Sequence, residues 1–423
     1  MIRVLAICME DPSVLLGGMG RHVGELYRHM ARREDVEIDL LTGGPGEGTI
    51  EIDGYRKHPI DKLVCWKPRS PDLASLLSGD LQMARTLARL LAEGRRWDVV
   101  HQHEWNSGQT ARMARDALKV PLVGTMHLCI TRLGQVDTPM VIEGPRTAPP
   151  ETDLYLMQQE GHLVCDPREL ILCSKSYVKQ VRETFLTDRP VHMIYNGIDR
   201  ERWFREAGDG DRARFQHGLP TGKLAGAFGE DRPIALYVGR IATMKGITQI
   251  LDAVEAEDNG YCVVVCGEVN ANSDEEKEGW TVTQRLRALE ACMPWRFRWL
   301  GFRHGQELLD LYAAASVGLM PSIHEPFGIA ALEHLAMGVP LIATEVDGLG
   351  EVVVDGSEEF GIIIPARSPR AIIEALKLRR RLAPAVVEGM RQAGYCRCQA
   401  FSWDAAAEQT VQVYHQAGGD SCQ

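Results

Sequence analysis

Short apolar runs alternate with longer amphipathic stretches along the whole chain. The runs predict strands at Val4–Cys8, Glu37–Leu41, Val99–His101, Leu122–Met126, Leu170–Cys173 and His192–Tyr195. After a break they resume at Ile234–Val238, Cys262–Cys266, Phe297–Leu300, Val317–Met320 and Leu341–Ala343. Between them, apolar positions recur at helical spacing over Gly20–Arg33, Leu81–Glu93, Lys175–Leu186, Gly246–Ala256, Val282–Ala291, Gln306–Ala314 and Phe327–Ala336. Strand–helix alternation of this kind predicts doubly wound α/β domains. The break follows Tyr195-Asn196-Gly197-Ile198-Asp199 and continues through a polar, glycine-bearing stretch to Pro233. Residues 1–200 and 201–400 are therefore expected to form two Rossmann-like domains. After Phe401-Ser402-Trp403-Asp404 an amphipathic run to Tyr414 predicts a last helix within 401–423. The acidic stretch from Glu268 to Glu278 reads as a solvated excursion.

At 423 residues the chain exceeds one ordinary core. Its 45% apolar and 25% charged residues are those of a soluble globular protein. Net charge is −11. Residues 1–199 hold 24 Lys and Arg against 27 Asp and Glu, and the remainder 23 against 31. Neither part offers a broad basic surface for nucleic acid or anionic membrane. No uncharged apolar run is long enough to span a bilayer. The opening Met1–Met9 run meets Glu10-Asp11 at once, so a first strand is expected rather than a secretory leader, and a cytoplasmic location with it. The 11 cysteines are scattered; buried, reduced thiols are expected, with no zinc site at Cys396-x-Cys398.

The densest chemistry lies between Pro321 and Gly356. Glu325 and Glu333 stand eight apart across a predicted helix start, and at about 100° per residue the second carboxylate lies only about 80° around the axis from the first. Pro326 suits a first helical position, where its missing N–H loses no bond. Gly328 leaves room for a ligand to approach the backbone. The phrase H-E-P-F-G-I-A-A-L-E-H-L-A-M-G-V-P closely resembles the E-x7-E element of retaining glycosyltransferases of the GT-B fold, family 4. In that family the first glutamate contacts the donor sugar and the second the ribose, roles the resemblance places on Glu325 and Glu333, with Phe327 and Gly328 beside them.

Further motifs agree with that resemblance. Gly17-Gly18-Met19-Gly20-Arg21-His22 follows the first strand, and glycines opening a helix free backbone N–H groups for phosphate. The segment resembles the family's first loop, placing Gly18 and Gly20 near the donor diphosphate. Gly239-Arg240 ends a strand and Lys245-Gly246 follows; two cations there suit a pyrophosphate, arginine as a fork and lysine as a point charge. The pattern resembles the family's diphosphate-binding pair. Thr125-Met126-His127 resembles the T-x-H element whose histidine touches the transferred sugar. His101 reads as a buried, hydrogen-bonded histidine. His103-Glu104-Trp105 resembles the H-D-W element of glycogen and starch synthases. Contacts to the nucleotide base are expected around Phe302-Arg303. Asp209-Gly210-Asp211 lies in a polar linker and reads as a chance match to D-x-D.

The resemblance covers nearly the whole chain. It implies an α/β protein of GT-B fold, two Rossmann-like doubly wound domains facing across a cleft, with the last helix packing back on the first domain. It implies a retaining hexosyltransferase using a nucleotide diphosphate sugar, UDP-linked by preference, with no metal or other cofactor. The expected acceptor is soluble, shaped by Glu104-Trp105 and the long segment from Leu128 to Pro150. The alternatives are an epimerase of the same fold, an ADP-glucose-dependent glucan synthase, or a non-catalytic sugar-nucleotide binder. The oligomeric state is not legible.

Overall fold

β1 (Ile2–Cys8), β2 (Val36–Thr42), β3 (Ile50–Ile52), β4 (Tyr55–Pro59), β5 (Val99–His103), β6 (Leu122–Met126), β7 (Glu169–Leu172) and β8 (His192–Met193) form one sheet in the order β3-β4-β2-β1-β5-β6-β7-β8. Every pair in it is parallel except β3 with β4. This is a computed structural model, and it describes residues 1–13, 18–44, 46–60, 73–129, 150–204, 208–219, 232–269, 276–277 and 280–419. β9 (Ile234–Val238), β10 (Cys262–Cys266) and a small antiparallel pair, β11 (Glu276–Lys277) and β12 (Trp280–Thr281), come next. β13 (Phe297–Gly301), β14 (Ala315–Met320), β15 (Leu341–Thr344) and β18 (Gly361–Ile364) complete a second, all-parallel sheet in the order β13-β10-β9-β14-β15-β18. β16 (Val354–Asp355) and β17 (Glu358–Glu359) pair antiparallel.

The chain divides into two compact units, Met1–Asn196 with Trp403–Gln423, and Gly197–Ser402. Each buries its own apolar strands. In the first, Leu5, Ile7, Leu41 and Val100 pack against Met83, Leu87 and Leu90 of the helix Leu73–Ala92. In the second, Val263, Val265 and Val317 pack with Ile247, Leu251 and Phe297. Strands buried on both faces are the expected reading of near-continuous apolar runs in parallel sheets. Within the first unit the helix Trp403–Gly419 lies on the helix Gly18–Met30. Tyr414 reaches His101 with its hydroxyl, 2.7 Å from Nδ1.

Strand order reverses between β1 and β5 and between β9 and β14. Such switch points open a crevice at the carboxyl ends of the strands, where α/β sheets take ligands. Both sets of candidate residues follow those ends.

Several elements differ from expectation. The Asp53-Gly54 turn of β3–β4 has φ of 47° and 86°; two left-handed residues are what a two-residue hairpin needs, and the dipeptide was a signal the strand pattern hid. The helices Pro369–Arg381 and Pro384–Cys398 were not expected. The helix expected to open at Pro326-Phe327 begins at Ile329. Gly328 precedes it at φ 98°, a left-handed conformation that breaks the helix behind it. Glu325 and Pro326 therefore stand on a loop, and Glu333 sits little more than one turn inside. Asp209 has a local job, its carboxylate accepting from the amides of Asp211 and Arg212 at the start of Gly210–Gln216. Among the described cysteines all are free; Cys8, Cys129, Cys173, Cys262, Cys266 and Cys398 are buried, but Cys165, Cys292 and Cys396 are exposed.

Candidate active site

In the second unit β9 ends at Val238 and β14 at Met320, neighbours across the switch point. The loop after β9 carries Arg240 and Lys245; the loop after β14 carries Glu325. Backbone bonds tie the two loops, Ile323 and His324 both donating to the Met244 carbonyl at 2.8 and 3.1 Å. This places Lys245 Nζ 2.6 Å from Glu325 Oε2 in a largely shielded ion pair. The Glu325 amide donates to Asp347 at 3.0 Å, and Asp347 also holds His324 Nδ1 at 2.5 Å. Among the described residues no acceptor pairs with the Arg240 guanidinium, and the residue is partly buried. Its backbone carbonyl accepts from the Tyr237 hydroxyl at 2.7 Å. One cation is thus balanced in place and the other is available.

Glu333 is buried, and its Oε2 accepts from the Tyr312 hydroxyl at 2.9 Å. Beside it His334 Nδ1 lies 2.8 Å from the Ala330 carbonyl, with Nε2 3.3 Å from that of Leu236, and burial pushes its pKa down to about 4. Phe302 is exposed after β13, but its amide donates to Glu268 at 3.0 Å, so the backbone group expected to meet a base already has an acceptor. Phe327 is buried with its ring edge on Phe401, centroids 5.7 Å apart; its side chain supports the loop from within. Arg240, Lys245, Phe302, Glu325, Gly328 and Glu333 therefore share the strand ends of one unit. Tyr312 and Asp347, which position the two glutamates, carried no sequence signal.

The first unit holds Gly18, Gly20 and His127. Gly18 opens the helix Gly18–Met30. The Gly20 amide donates to Glu10 Oε2 at 2.8 Å, so a carboxylate of this chain occupies the helix start expected to meet phosphate. His127 follows β6 and joins a histidine cluster. His103 Nδ1 lies 3.2 Å from His127 Nε2, and the His22 ring stands edge-on to His127 at 4.6 Å. His101 is the buried, bonded histidine expected, held by Tyr414 and by Thr125 at 2.8 Å. Glu104 and Trp105, expected to shape an acceptor pocket, are both buried. Glu104 adopts φ 64° and turns its carboxylate inward to accept from the amides of His127 and Leu128 at 3.0 and 2.9 Å. It fixes the backbone that carries His127. The segment 130–149 lies outside the described residues.

Burial keeps these histidines neutral. It pushes His22 down to about 4 and His101 to about 3, with His103 and His127 also well below 6.5. Unfolded, each takes a proton near 6.5; folded, none does until far lower pH. Their stabilisation is complete above 6.5 and is lost as pH falls toward 4. Burial and Glu160 push Glu104 up to about 8, an effect of opposite sign, but four histidines outweigh one carboxyl. The melting temperature is expected to fall steadily from pH 6.5 to 4.5 by calorimetry. A constant value across that range would refute the assignment.

Residues 17–197 match the Glycosyl transferase 4-like domain and residues 224–379 match Glycosyl transferases group 1. The D-inositol 3-phosphate glycosyltransferase of Streptomyces bingchenggensis is 30% identical, the match covering 95% of this chain and 85% of that one. This chain is a group 1 glycosyltransferase. The glycogen synthase of Mycobacterium tuberculosis is 27% identical over 98% of this chain and 94% of its own. The sucrose-phosphate synthase of Thermosynechococcus elongatus superposes with a TM-score of 0.78 at 24% identity, each chain covered fully, and shows the same GT-B fold. As a glycosyltransferase the chain is a transferase enzyme. Among its described residues no helix is long and apolar enough to cross a membrane.

Proposed function

We propose that the enzyme moves a hexose from a nucleotide diphosphate sugar, UDP-linked in the favoured reading, to a soluble hydroxyl acceptor with retention at the anomeric carbon. The observation that carries this reading is the convergence of Arg240, Lys245, Glu325 and Glu333 at the β9–β14 switch point. The departing diphosphate gains charge as the glycosidic bond breaks. Arg240 and Lys245 are cations held where such charge develops, and preorganised charge of this kind is usually the largest catalytic contribution. Glu325 already touches Lys245 and would face the donor sugar; Glu333, fixed by Tyr312, would accept from ribose hydroxyls. His127, neutral and with its backbone held by Glu104, would contact the transferred sugar. In the proposed step the leaving phosphate takes the acceptor's proton, and neither a metal nor a separate base is assigned to it. ADP-linked donors are the second reading, supported by the His103-Glu104-Trp105 likeness to glucan synthases.

Glu333→Gln keeps an acceptor for Tyr312 but removes the charge. A hydrogen bond to a charged group contributes roughly 1.5–3 kcal/mol, so nucleotide-sugar affinity should drop about tenfold or more. Calorimetry across UDP-, GDP- and ADP-sugars reads both the donor and this loss. A folded variant with an unchanged Kd would remove the ribose role.

A further inference from the structure

The first unit contains a feature that the proposed transfer does not use. His22, His103 and His127 come from three places in the sequence: the helix Gly18–Met30, the end of β5 and the residue after β6. One ring nitrogen from each lies within 4.8 Å of the other two. His22 Nε2 is buried and has no hydrogen-bond partner. A buried polar atom without a partner is costly and calls for an explanation.

The surrounding bonds fix the available nitrogen of His22 and accommodate a ligating tautomer of His103. His22 Nδ1 lies 2.7 Å from Asn196 Oδ1, an oxygen that only accepts, so Nδ1 carries the proton and Nε2 keeps its lone pair. His103 Nε2 lies 2.6 Å from the Tyr27 hydroxyl. That hydroxyl also lies 3.0 Å from His101 Nδ1, whose lone pair faces the Tyr414 hydroxyl at 2.7 Å; in the metal-bound form a proton on His103 Nε2 donates to the Tyr27 oxygen. This tautomer frees His103 Nδ1, 3.2 Å from His127 Nε2. Two ligands of a tetrahedral zinc ion, each about 2.0–2.1 Å from it, stand about 3.3 Å apart. Histidines that ligate metal usually donate their other N–H to a fixed acceptor, as His22 and His103 do here.

We propose that His22 Nε2, His103 Nδ1 and His127 Nε2 form a binding site for a divalent transition-metal ion of the zinc class, with the fourth position open. The three nitrogens, within 4.8 Å of one another, draw together to close on the ion. Binding forms three nitrogen–metal bonds, displaces water from the ion and moves no electron. Neutral imidazole is the ligating form, and all three rings are neutral at pH 7. If His127 also serves the sugar, as the proposed function has it, metal and donor exclude each other, and zinc inhibits transfer.

The test reads the metal directly and needs no donor, so it fails or succeeds apart from the transferase reading. Metal-stripped full-length protein is titrated with Co2+ and followed by visible absorption, then with Zn2+ in competition. The expected result is one equivalent of Co2+ with the intense band of a tetrahedral ion, displaced by Zn2+. Because loss of an orienting partner alone costs about 10–100-fold, His22→Ala should weaken binding by about a hundredfold or more. Asn196→Ala, which keeps all three rings, should weaken it about tenfold and decides the matter if His22→Ala does not fold. Absence of the band, or a band with thiolate charge-transfer that survives both substitutions, overturns the proposal.

Discussion

Arg240→Ala is expected to lower kcat by about a hundred- to a thousandfold, the loss seen when one preorganised donor to a developing anion is removed. Ground-state donor binding should weaken by less than about tenfold, because the guanidinium matters most as the diphosphate departs. Lys245→Ala should behave differently. Lys245 neutralises Glu325 across 2.6 Å in a pair mostly withdrawn from water. Removing the lysine leaves a shielded carboxylate unpaired next to where phosphate would sit, so both kcat and donor affinity should fall. Steady-state kinetics with the donor found by calorimetry separates the two variants. If Arg240→Ala raises only KM, the guanidinium grips the ground state and the leaving-group role is gone. If Lys245→Ala matches Arg240→Ala in both constants, the ion pair with Glu325 has no bearing on the site.

The contrast between these residues marks how far the sequence could be read. Their positions were legible: apolar runs located β9 and β14, and residues just beyond the carboxyl ends of parallel strands are where ligands bind. Spacing placed Glu325 and Glu333 on one side of a helix, and the structure keeps them on adjoining elements although the helix starts later. Partners were not legible. Lys245 with Glu325, Tyr312 with Glu333 and Glu104 with the His127 amide join residues 80, 21 and 23 apart in sequence. No local pattern encodes such pairs, because they depend on which strands and helices lie side by side and on where loops turn. Trp105 shows the same limit: a tryptophan after a strand end reads as a binding platform, yet here it is core. Asp53-Gly54 is a different kind of omission, since the signal was local and present but bracketed strands too short to register. The histidine cluster required tertiary structure outright, with His22 and His127 drawn together from opposite ends of a hundred-residue span.

Gly246→Ala is expected to destabilise the second unit and disable its site together. Gly246 adopts φ 75°, and a Cβ there would lie 2.0 Å from the Pro321 carbonyl oxygen and 2.7 Å from its carbon. The left-handed conformation costs alanine about 1–2 kcal/mol. The clash is with backbone, which cannot swing aside as a flexible side chain would, and overpacking of this kind adds about 1–3 kcal/mol. Together these correspond to a fall in Tm on the order of 10 °C for a domain of this size. The loop carrying Lys245 is bonded through the Met244 carbonyl to Ile323 and His324, so relief of the clash pushes Lys245 away from Glu325. Donor binding should therefore weaken even where the variant remains folded. Gly356→Ala supplies the comparison: Gly356 has a similar φ of 63°, but nothing lies within 4 Å of its Cβ position. It should incur only the conformational cost and leave donor affinity unchanged. Equal losses of Tm in the two variants would show that the Pro321 contact relaxes freely, and the close packing of the two site loops would no longer explain why glycine stands at 246.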